Sequence, residues 1–375
     1  MRELYMVDNC YRPTSAGTNR MVAFAKNLGE RDIHVSFFFL FPSDSREKCQ
    51  EVYKNVDFIY LWDKARIHNK YLTTILSFIK FRKMMVPSIP IYVYSMINLL
   101  YFFRQRHDIR LYSEITECPE FSGKEGGVLG SFLYRLFVKT VPKLDGLFVI
   151  TPSLKNYFVD EYKIEKDKVH VVNMTVDPDR FNGVQFGKPQ NVISYCGIMG
   201  DKKDGISNLI RSFALFHKQH PLYKLCLMGG FEDDNARDKI PNLIKELGLS
   251  DYVLLKGLVP HNEIPQMLTD SKILVLARPL PKEKAYGFAT KIGEYLMTQR
   301  PVVMTNVARV EDYLSNLYDV ILATPESVED FADKLCWVVD NYDKAEKIGK
   351  QGRITAMKVF NASIETEKII KAIYS

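Results

Sequence analysis

Short apolar runs alternate with stretches of helical periodicity along most of the 375 residues. Residues 4–7 form an apolar run, a small-residue loop follows, and a helical pattern extends from about Thr18 to Glu30. This alternation predicts an α/β fold with mostly parallel strands that helices cover on both faces. In the first half of the chain the pattern predicts strands at residues 4–7, 34–40, 57–61, 91–94, 109–113, 147–151 and 169–173.

The same rhythm restarts after residue 183, with a predicted amphipathic helix at 206–219. Further strands are predicted at 192–196, 224–228, 253–256, 273–277 and 301–304. The polar, Pro- and Gly-bearing stretch 178–191 is typical of a linker. We therefore predict two Rossmann-like domains, 1–182 and 183–355, facing each other across a cleft, and a helix within 356–375 that packs back on the N-terminal domain. Ligands of such sheets bind at the carboxyl ends of the strands.

Composition narrows the class of protein. A net charge of +6 suits anionic small molecules or an anionic membrane surface, but is too small to indicate nucleic-acid binding. The six cysteines are scattered, without a zinc-type spacing, and the N-terminus lacks the pattern of a signal peptide. We expect a cytoplasmic protein.

One uncharged stretch, 84–103, is nearly long enough to span a bilayer. Pro87 and Pro90 interrupt it, so we predict a buried strand followed by an apolar helix from near Met96. Aromatic and basic residues interleave at 71–85, 97–107 and 132–140. They suit either an interfacial patch on the inner face of the plasma membrane or core aromatics beside solvated cations.

Three segments carry the candidate chemistry, and each is a strand-to-helix loop. The loop with Gly17 is small enough for backbone N–H groups to face a phosphate, although it is equally typical of a plain turn. Gly197 opens a second loop in which Lys203 precedes a helix, either as a diphosphate ligand or as a solvated charge. In the third, Thr290, Lys291 and Glu294 share one helix face, which suits phosphate and ribose contacts or a capped surface helix.

Together these segments resemble the retaining family 4 glycosyltransferases of the GT-B fold. The resemblance covers essentially the whole chain and rests on SYCGIMGDKKDGISNLIRSFALF, LLKGLVPHNEIPQML, LFVITPSLKNYF, KVHVVNMTVDPDRF and GFATKIGEYLMTQRPVVMT. It implies transfer from a nucleoside diphosphate sugar, with Lys203 and Lys291 stabilising the leaving diphosphate. The donor-binding positions it implies are Gly17, Gly197, Lys203, His261, Arg278, Tyr286, Gly287, Phe288, Ala289, Thr290, Lys291 and Glu294.

This chain departs from the family pattern at two donor positions. The family has two glutamates eight residues apart; the second is Glu294, whereas the first position is Tyr286. Ile198 stands where the family often has an arginine. Arg278 is a candidate replacement for that charge, or else a structural residue at a strand end. His261 is a candidate neighbour of the nucleotide base, or an ordinary loop histidine.

Acceptor contact is expected on the N-terminal side. Glu114 and Glu117 follow the strand predicted at 109–113, at a carboxyl end, so they are candidate catalytic groups for the acceptor hydroxyl's proton. A solvated acidic loop is the alternative.

The sequence thus predicts a metal-independent hexosyltransferase-like enzyme without a cofactor, which moves a sugar with retention to a glycan or lipid-linked acceptor in bacterial surface polysaccharide synthesis. No acidic cluster stands where a GT-A enzyme would hold a divalent ion, so we expect positive side chains in its place. Two alternatives stay open: a sugar-nucleotide epimerase of the same fold, and a non-catalytic subunit that binds a nucleotide sugar.

Overall fold

The structure is a computed structural model that describes residues 1–13, 15–41, 48–62, 70–94, 109–118, 127–280, 286–307 and 309–375. It divides into two compact units. The N-terminal unit comprises Met1–Asp177, Tyr286–Phe288 and Ala362–Ser375. The C-terminal unit comprises Pro178–Ala285 and Ala289–Asn361.

The N-terminal unit is built on parallel strands, which are β1 Arg2–Asp8, β2 Ile33–Phe39, β3 Val56–Tyr60, β4 Ile91–Tyr94, β5 Leu111–Ile115, β6 Gly146–Val149 and β7 Val169–Val171. Their order in the sheet is β3-β2-β1-β4-β5-β6-β7. The direction of the strand order therefore reverses between β1 and β4, which is the point where such sheets bind ligands.

The helices described in this unit are α1 Ala16–Glu30, α2 Lys70–Met84, α3 Gly127–Thr140, α4 Pro152–Tyr162 and, from the far end of the sequence, α11 Ala362–Tyr374. Met6 and Val7 of β1 lie on opposite faces of the strand and are both fully buried, as expected for a parallel strand that is covered on both faces. Ile369 and Ile373 of α11 belong to the same apolar core. Arg31 ties α11 in place, because its Nη2 donates a 2.8 Å hydrogen bond to Ser363 Oγ.

The C-terminal unit has a second parallel sheet, formed by β8 Gln190–Cys196, β9 Lys224–Met228, β10 Val253–Gly257, β11 Ser271–Leu276, β12 Val302–Thr305 and β13 Ile321–Ala323. The order is β10-β9-β8-β11-β12-β13, so its reversal lies between β8 and β11. These two parallel sheets confirm the α/β fold predicted from the sequence.

The helices of this unit are α5 Ile206–Gln219, α6 Asp234–Glu246, α7 Ile264–Asp270, α8 Lys291–Met297, α9 Val328–Asp340 and α10 Tyr342–Val359. In α5, Ile206, Leu209, Ile210 and Phe213 are buried at the spacing of one helix face. Ser327 caps α9, since its Oγ accepts a 3.1 Å hydrogen bond from the backbone N–H of Asp330.

Most predicted strand and helix positions agree with the structure, and the bounds of β4, β9 and α5 agree to the residue. Two differences are informative. The strand predicted at 109–113 is β5, two residues later, so Glu114 lies inside the strand and not beyond it. The strand β13, of three residues, was not predicted.

No helix within the described ranges combines the length and the mean hydropathy needed to cross a bilayer. The uncharged stretch that begins at Met84 is the end of α2 and then β4 as far as Tyr94. Its remainder, including the helix predicted from Met96, lies outside the described residues, as does the aromatic and basic segment 97–107.

Candidate functional site

A cluster of charged and phenolic side chains lies at the carboxyl ends of β8 and β11, where the order of the C-terminal sheet reverses. Tyr195 is on β8, Asp204 lies in the loop before α5, Arg278 follows β11, and Lys291 is the first residue of α8. We call these four residues the Asp204 cluster. Four different segments converge on it, as expected for a binding site at such a reversal.

Asp204 is the centre of this cluster. Its Oδ1 accepts a 3.0 Å hydrogen bond from Arg278 Nε, and its Oδ2 pairs with Lys291 Nζ. The Tyr195 hydroxyl lies 2.6 Å from the same Oδ2 and accepts a 3.0 Å hydrogen bond from Lys291 Nζ. The ammonium also stands 4.4 Å from the centre of the Tyr195 ring, close enough for a cation–π interaction.

Burial and the neighbouring charges act in opposite directions on Asp204 and Lys291. Burial would raise the pKa of Asp204, but the charges of Lys291 and Arg278 outweigh it, so the pKa of this carboxyl is lower than usual. For Lys291, burial lowers the pKa of the ammonium, while Asp204 opposes that change. Burial also raises the pKa of Tyr195, which is therefore a neutral phenol. The cluster thus carries two positive charges and one negative charge.

Two glycines allow this close packing. Gly205 has φ +63°, and a Cβ there would collide with the carbonyl oxygen of Ala277. A Cβ at Gly197 would collide with Lys291 Nζ. The sequence predicted Gly197 as a donor-site residue, and the structure places its backbone directly against Lys291.

Arg180 joins two more predicted donor residues of the C-terminal unit. Its Nη1 pairs with Oε1 of Glu294, and its Nη2 donates a 3.3 Å hydrogen bond to the carbonyl oxygen of His261. Burial and, secondly, the Arg180 charge lower the pKa of the His261 imidazole to about 4, so this ring is neutral at pH 7. Lys291 and Glu294 are thus oriented by different partners, although they are one helical turn apart.

The segment Tyr286–Phe288 belongs to the N-terminal unit. Thr151 Oγ1 donates a 2.6 Å hydrogen bond to the carbonyl oxygen of Tyr286, and the ring of Tyr157 packs against the Tyr286 ring with centroids 4.8 Å apart. A Cβ at Gly287 would have its nearest contact 3.9 Å away. Tyr286 therefore has an aromatic protein neighbour, and the sugar contact expected of it stays a prediction.

Phe288 ends this segment and is buried. From Ala289 the chain belongs to the C-terminal unit and leads into α8. Ala289 is buried, and Thr290 is exposed at the N-cap position without a side-chain capping bond. The helix has seven residues. The backbone contacts to phosphate expected here stay predictions.

Lys203 lies outside the Asp204 cluster. Its side chain is exposed, whereas its neighbour Asp204 is 4% exposed. Asp204, Tyr195 and Arg180 were missed by the sequence analysis. A signal for Asp204 was present, since it directly precedes the glycine that opens α5, but a lone carboxylate did not fit an expected phosphate site.

Gly17 serves close packing at the reversal of the N-terminal sheet. A Cβ there would come within 2.5 Å of the Tyr94 ring. Beside it, Asp8 ends β1 and is 5% exposed, with its Oδ2 3.5 Å from Thr18 Oγ1 and its Oδ1 bound by the N–H of Asn9 at 2.7 Å. Burial raises the pKa of Asp8 to about 6. Asp8 was not predicted as a site residue, because an apolar strand pattern does not distinguish its terminal carboxylate.

The acceptor role expected for Glu114 does not fit its position. The residue is fully buried, with Oε1 2.5 Å from Arg20 Nε and Oε2 bound by the Tyr92 hydroxyl. Both oxygens are occupied inside the unit because β5 continues through this residue. Glu117 lies beyond β5 and is exposed, so it stays a candidate for acceptor contact.

Chemically, the C-terminal unit offers two cations at one sheet reversal, a carboxylate at Glu294 and a neutral imidazole at His261. This combination suits an anionic ligand that also carries hydroxyl groups. A family model described as Glycosyl transferases group 1 matches residues 178–355. That range of the chain is therefore similar to the glycosyl transferases group 1 family.

Curated relatives agree with this assignment. The MMP alpha-(1->4)-mannosyltransferase of Mycolicibacterium hassiacum is 23% identical over 230 residues, which are 61% of this chain and 53% of that protein. The capsular polysaccharide biosynthesis glycosyltransferase CapM of Staphylococcus aureus is 25% identical over 246 residues, or 60% of each chain. The matched part of the chain thus spans between about half and three fifths of these relatives.

Among solved structures, Anabaena HepE in complex with UDP and glucose is similar in fold to this chain, with a TM-score of 0.77 and 14% sequence identity. The superposition includes 100% of each of the two chains. At this identity the likeness shows the fold alone, which is the GT-B fold expected from the sequence. The group 1 domain contains the whole Asp204 cluster together with Arg180, His261 and Glu294. Three other candidate residues precede the matched range, namely Asp8, Gly17 and Glu117. Tyr286 lies within that range but packs with the N-terminal unit.

Proposed function

We propose that the protein transfers a sugar from a nucleoside diphosphate sugar to a glycan or lipid-linked glycan acceptor. The observation that carries this proposal is the Asp204 cluster, in which a buried carboxylate holds Lys291 and Arg278 together at the sheet reversal of the group 1 domain. Paired cations in a partly dry site are suited to a diphosphate, because their attraction to it is weakly screened there.

In the proposed reaction, the bond between the anomeric carbon and the diphosphate oxygen breaks, and its electron pair leaves with the nucleoside diphosphate. The acceptor hydroxyl oxygen bonds to the same carbon and loses its proton, for which Glu117 is the candidate base. Negative charge grows on the departing phosphate, so Lys291 and Arg278 would stabilise the transition state more than the ground state. We infer retention of configuration from the resemblance to the retaining family.

The Glu294 carboxylate has a separate role in this proposal. One of its oxygens is held by Arg180, and a carboxylate has further acceptor capacity on its second oxygen. That oxygen would accept hydrogen bonds from the ribose hydroxyls, with the neutral His261 ring as a neighbour of the base. The relative named for capsular polysaccharide biosynthesis, CapM of Staphylococcus aureus, supports a role in bacterial surface polysaccharides.

We further propose a peripheral contact with anionic lipid through α2, on the cytoplasmic face of the membrane. Ile75 and Ile79 lie one turn apart on this helix and are 55% and 42% exposed, and Arg82 and Lys83 follow at its end. Apolar side chains beside cations suit the interface of an anionic bilayer. Flotation with anionic vesicles at low salt should carry the protein upward, and Ile75→Asp should reduce this. Equal flotation on neutral vesicles would overturn the electrostatic part.

The decisive test of transfer begins with a thermal-shift screen over UDP, GDP, ADP, CMP and dTDP. A ligand at about 100 times its Kd stabilises the folded state by about 2.7 kcal/mol, which such a screen resolves. The matching nucleotide sugars are then incubated with and without glycan acceptors. Transfer or slow hydrolysis supports the proposal. Conversion of the sugar nucleotide alone to an epimer, or binding without any turnover, would replace it with one of the alternatives given above.

A further inference from the structure

We propose that Asp204 is a positioning residue, which holds Lys291 and Arg278 as a pair so that both can bind the diphosphate of the donor. This inference rests on the proposed function and deepens it. The two cations come from segments 13 residues apart, after β11 and at the start of α8, and one carboxylate binds both. Without that carboxylate, two like charges would face each other in a partly buried site.

Asp204 binds only some of the N–H groups of Lys291 and Arg278, and a phosphate would bind the others. An ammonium has three N–H groups, and Lys291 directs hydrogen bonds to Asp204 and Tyr195. Arg278 uses Nε for Asp204, and its two Nη groups donate no hydrogen bond within the described ranges. Among the residues that the structure describes, one ammonium N–H of Lys291 and the two Nη groups of Arg278 thus donate no hydrogen bond to the protein, and these are the donors that we assign to the diphosphate.

The fold fixes Asp204 itself. Asp204 is only 4% exposed. The next residue, Gly205, has a left-handed backbone conformation and packs against the carbonyl oxygen of Ala277, the residue that precedes Arg278. Tyr195 holds the Asp204 carboxylate from the β8 side. The carboxylate is thus held in place from two sides, as expected for a group that orients other side chains.

Asp204 also favours the protonated form of Lys291. The groups that face this ammonium are Asp204, Arg278, the Tyr195 phenol and the Cys196 thiol. Burial and Arg278 both lower the pKa of Lys291, whereas Asp204 raises it, and burial raises the pKa of Cys196, which keeps that thiol neutral. Replacing Asp204 with a neutral amide would leave burial and Arg278 to drive deprotonation of the lysine.

The test compares binding of inorganic pyrophosphate, by calorimetry, to the wild type and to Asp204→Asn. Pyrophosphate makes the test independent of the base, the sugar and turnover. The protonation state of pyrophosphate changes with pH, but it affects both Kd values equally and therefore cancels in their ratio. We expect this ratio to exceed one and to be about tenfold or more larger at pH 9 than at pH 6.5, because the loss of the Asp204 charge favours deprotonation of Lys291.

Matched variants separate charge from position. Lys291→Arg added to Asp204→Asn should remove the rise with pH, because arginine stays charged. Asp204→Glu keeps the charge but moves it by one methylene, so it should weaken binding equally at each pH. Asp201→Asn removes a carboxylate from the same loop, where it binds Ser207 and Lys239, and should leave the ratio flat and near one.

Several outcomes would overturn the proposal. They are a constant ratio across this pH range for Asp204→Asn, a rise that persists with Lys291→Arg, and no pyrophosphate binding by the wild type. None of these bears on the nucleotide screen and transfer assay, so the proposed function stands or falls separately. Should Asp204→Asn fail to fold, Asp204→Glu decides, since unchanged pyrophosphate affinity in that variant would exclude a positioning role.

Discussion

Arg180 binds the Glu294 carboxylate, 114 residues away in sequence, and the same guanidinium reaches the His261 carbonyl. Arg180 thus holds in place the Glu294 carboxylate, which we propose accepts hydrogen bonds from the ribose hydroxyls. Glu294→Gln replaces a charged acceptor with a neutral amide, so we expect a loss of about 1–3 kcal/mol in nucleotide affinity with the fold intact.

Calorimetry with the nucleotide identified by thermal shift measures this loss. Glu346→Gln is the control, since Glu346 forms an exposed pair with Lys350 on α10. Unchanged affinity in Glu294→Gln would remove the residue from the site.

Lys203→Ala and Lys291→Ala should both reduce kcat more than they raise KM, if each stabilises the leaving diphosphate. The structure adds a difference between them. Lys291 is the partner of the buried Asp204, so its removal should also lower the unfolding free energy, whereas the exposed Lys203 should not affect it. Steady-state kinetics and denaturant unfolding of both variants test this. Normal turnover by both would contradict the phosphate assignment.

Asp8→Asn should stabilise the protein above pH 6. The folded-state pKa of Asp8, about 6, is higher than the usual 3.8, so the folded protein holds this proton more tightly than the unfolded chain does. Ionisation therefore costs stability progressively as the pH rises from about 4 to about 6, by an amount on the order of 1–3 kcal/mol.

Thermal unfolding at pH 4 and at pH 7.5 checks this prediction. The variant should gain stability over the wild type at the higher pH only. Loss of transfer activity together with that gain would mark Asp8 as a functional residue, since sites keep destabilising groups for function. A gain of equal size at both pH values would show that the carboxyl does not titrate as stated.

Glu114→Ala should destabilise the protein, by about 3–5 kcal/mol, because it leaves the Arg20 charge buried without its carboxylate. The residue should not be required for chemistry. Protein that folds at low temperature should keep kcat within a few-fold of the wild type, whereas Glu117→Ala should reduce it. A large loss of kcat in folded Glu114→Ala, without loss of stability, would restore the catalytic role first expected.

The two glutamates illustrate which predictions a sequence supports. Periodicity located almost all strands, because burial in a parallel sheet demands apolar runs. It could not distinguish a carboxylate just beyond a strand from one just inside it, and a shift of two residues changed Glu114 from a surface residue to a buried one. Periodicity also could not predict which residues form ion pairs. Asp204 pairs with Lys291, 87 positions away, and Arg180 pairs with Glu294, 114 positions away, and nothing in the local sequence pattern indicates these partners.

The helix α11 has a consequence for how the chain is made. Ile369 and Ile373 complete a core whose first members, Leu4 and Met6, leave the ribosome early. At a synthesis rate of about 5–20 residues per second, the C-terminal unit takes roughly ten to forty seconds to emerge in between. During that interval the N-terminal sheet lacks one of its covering helices, so the apolar surface that this helix covers stays exposed. The C-terminal unit, whose sequence is nearly continuous, can fold before the N-terminal unit is finished, which reverses the usual order of domain folding during translation.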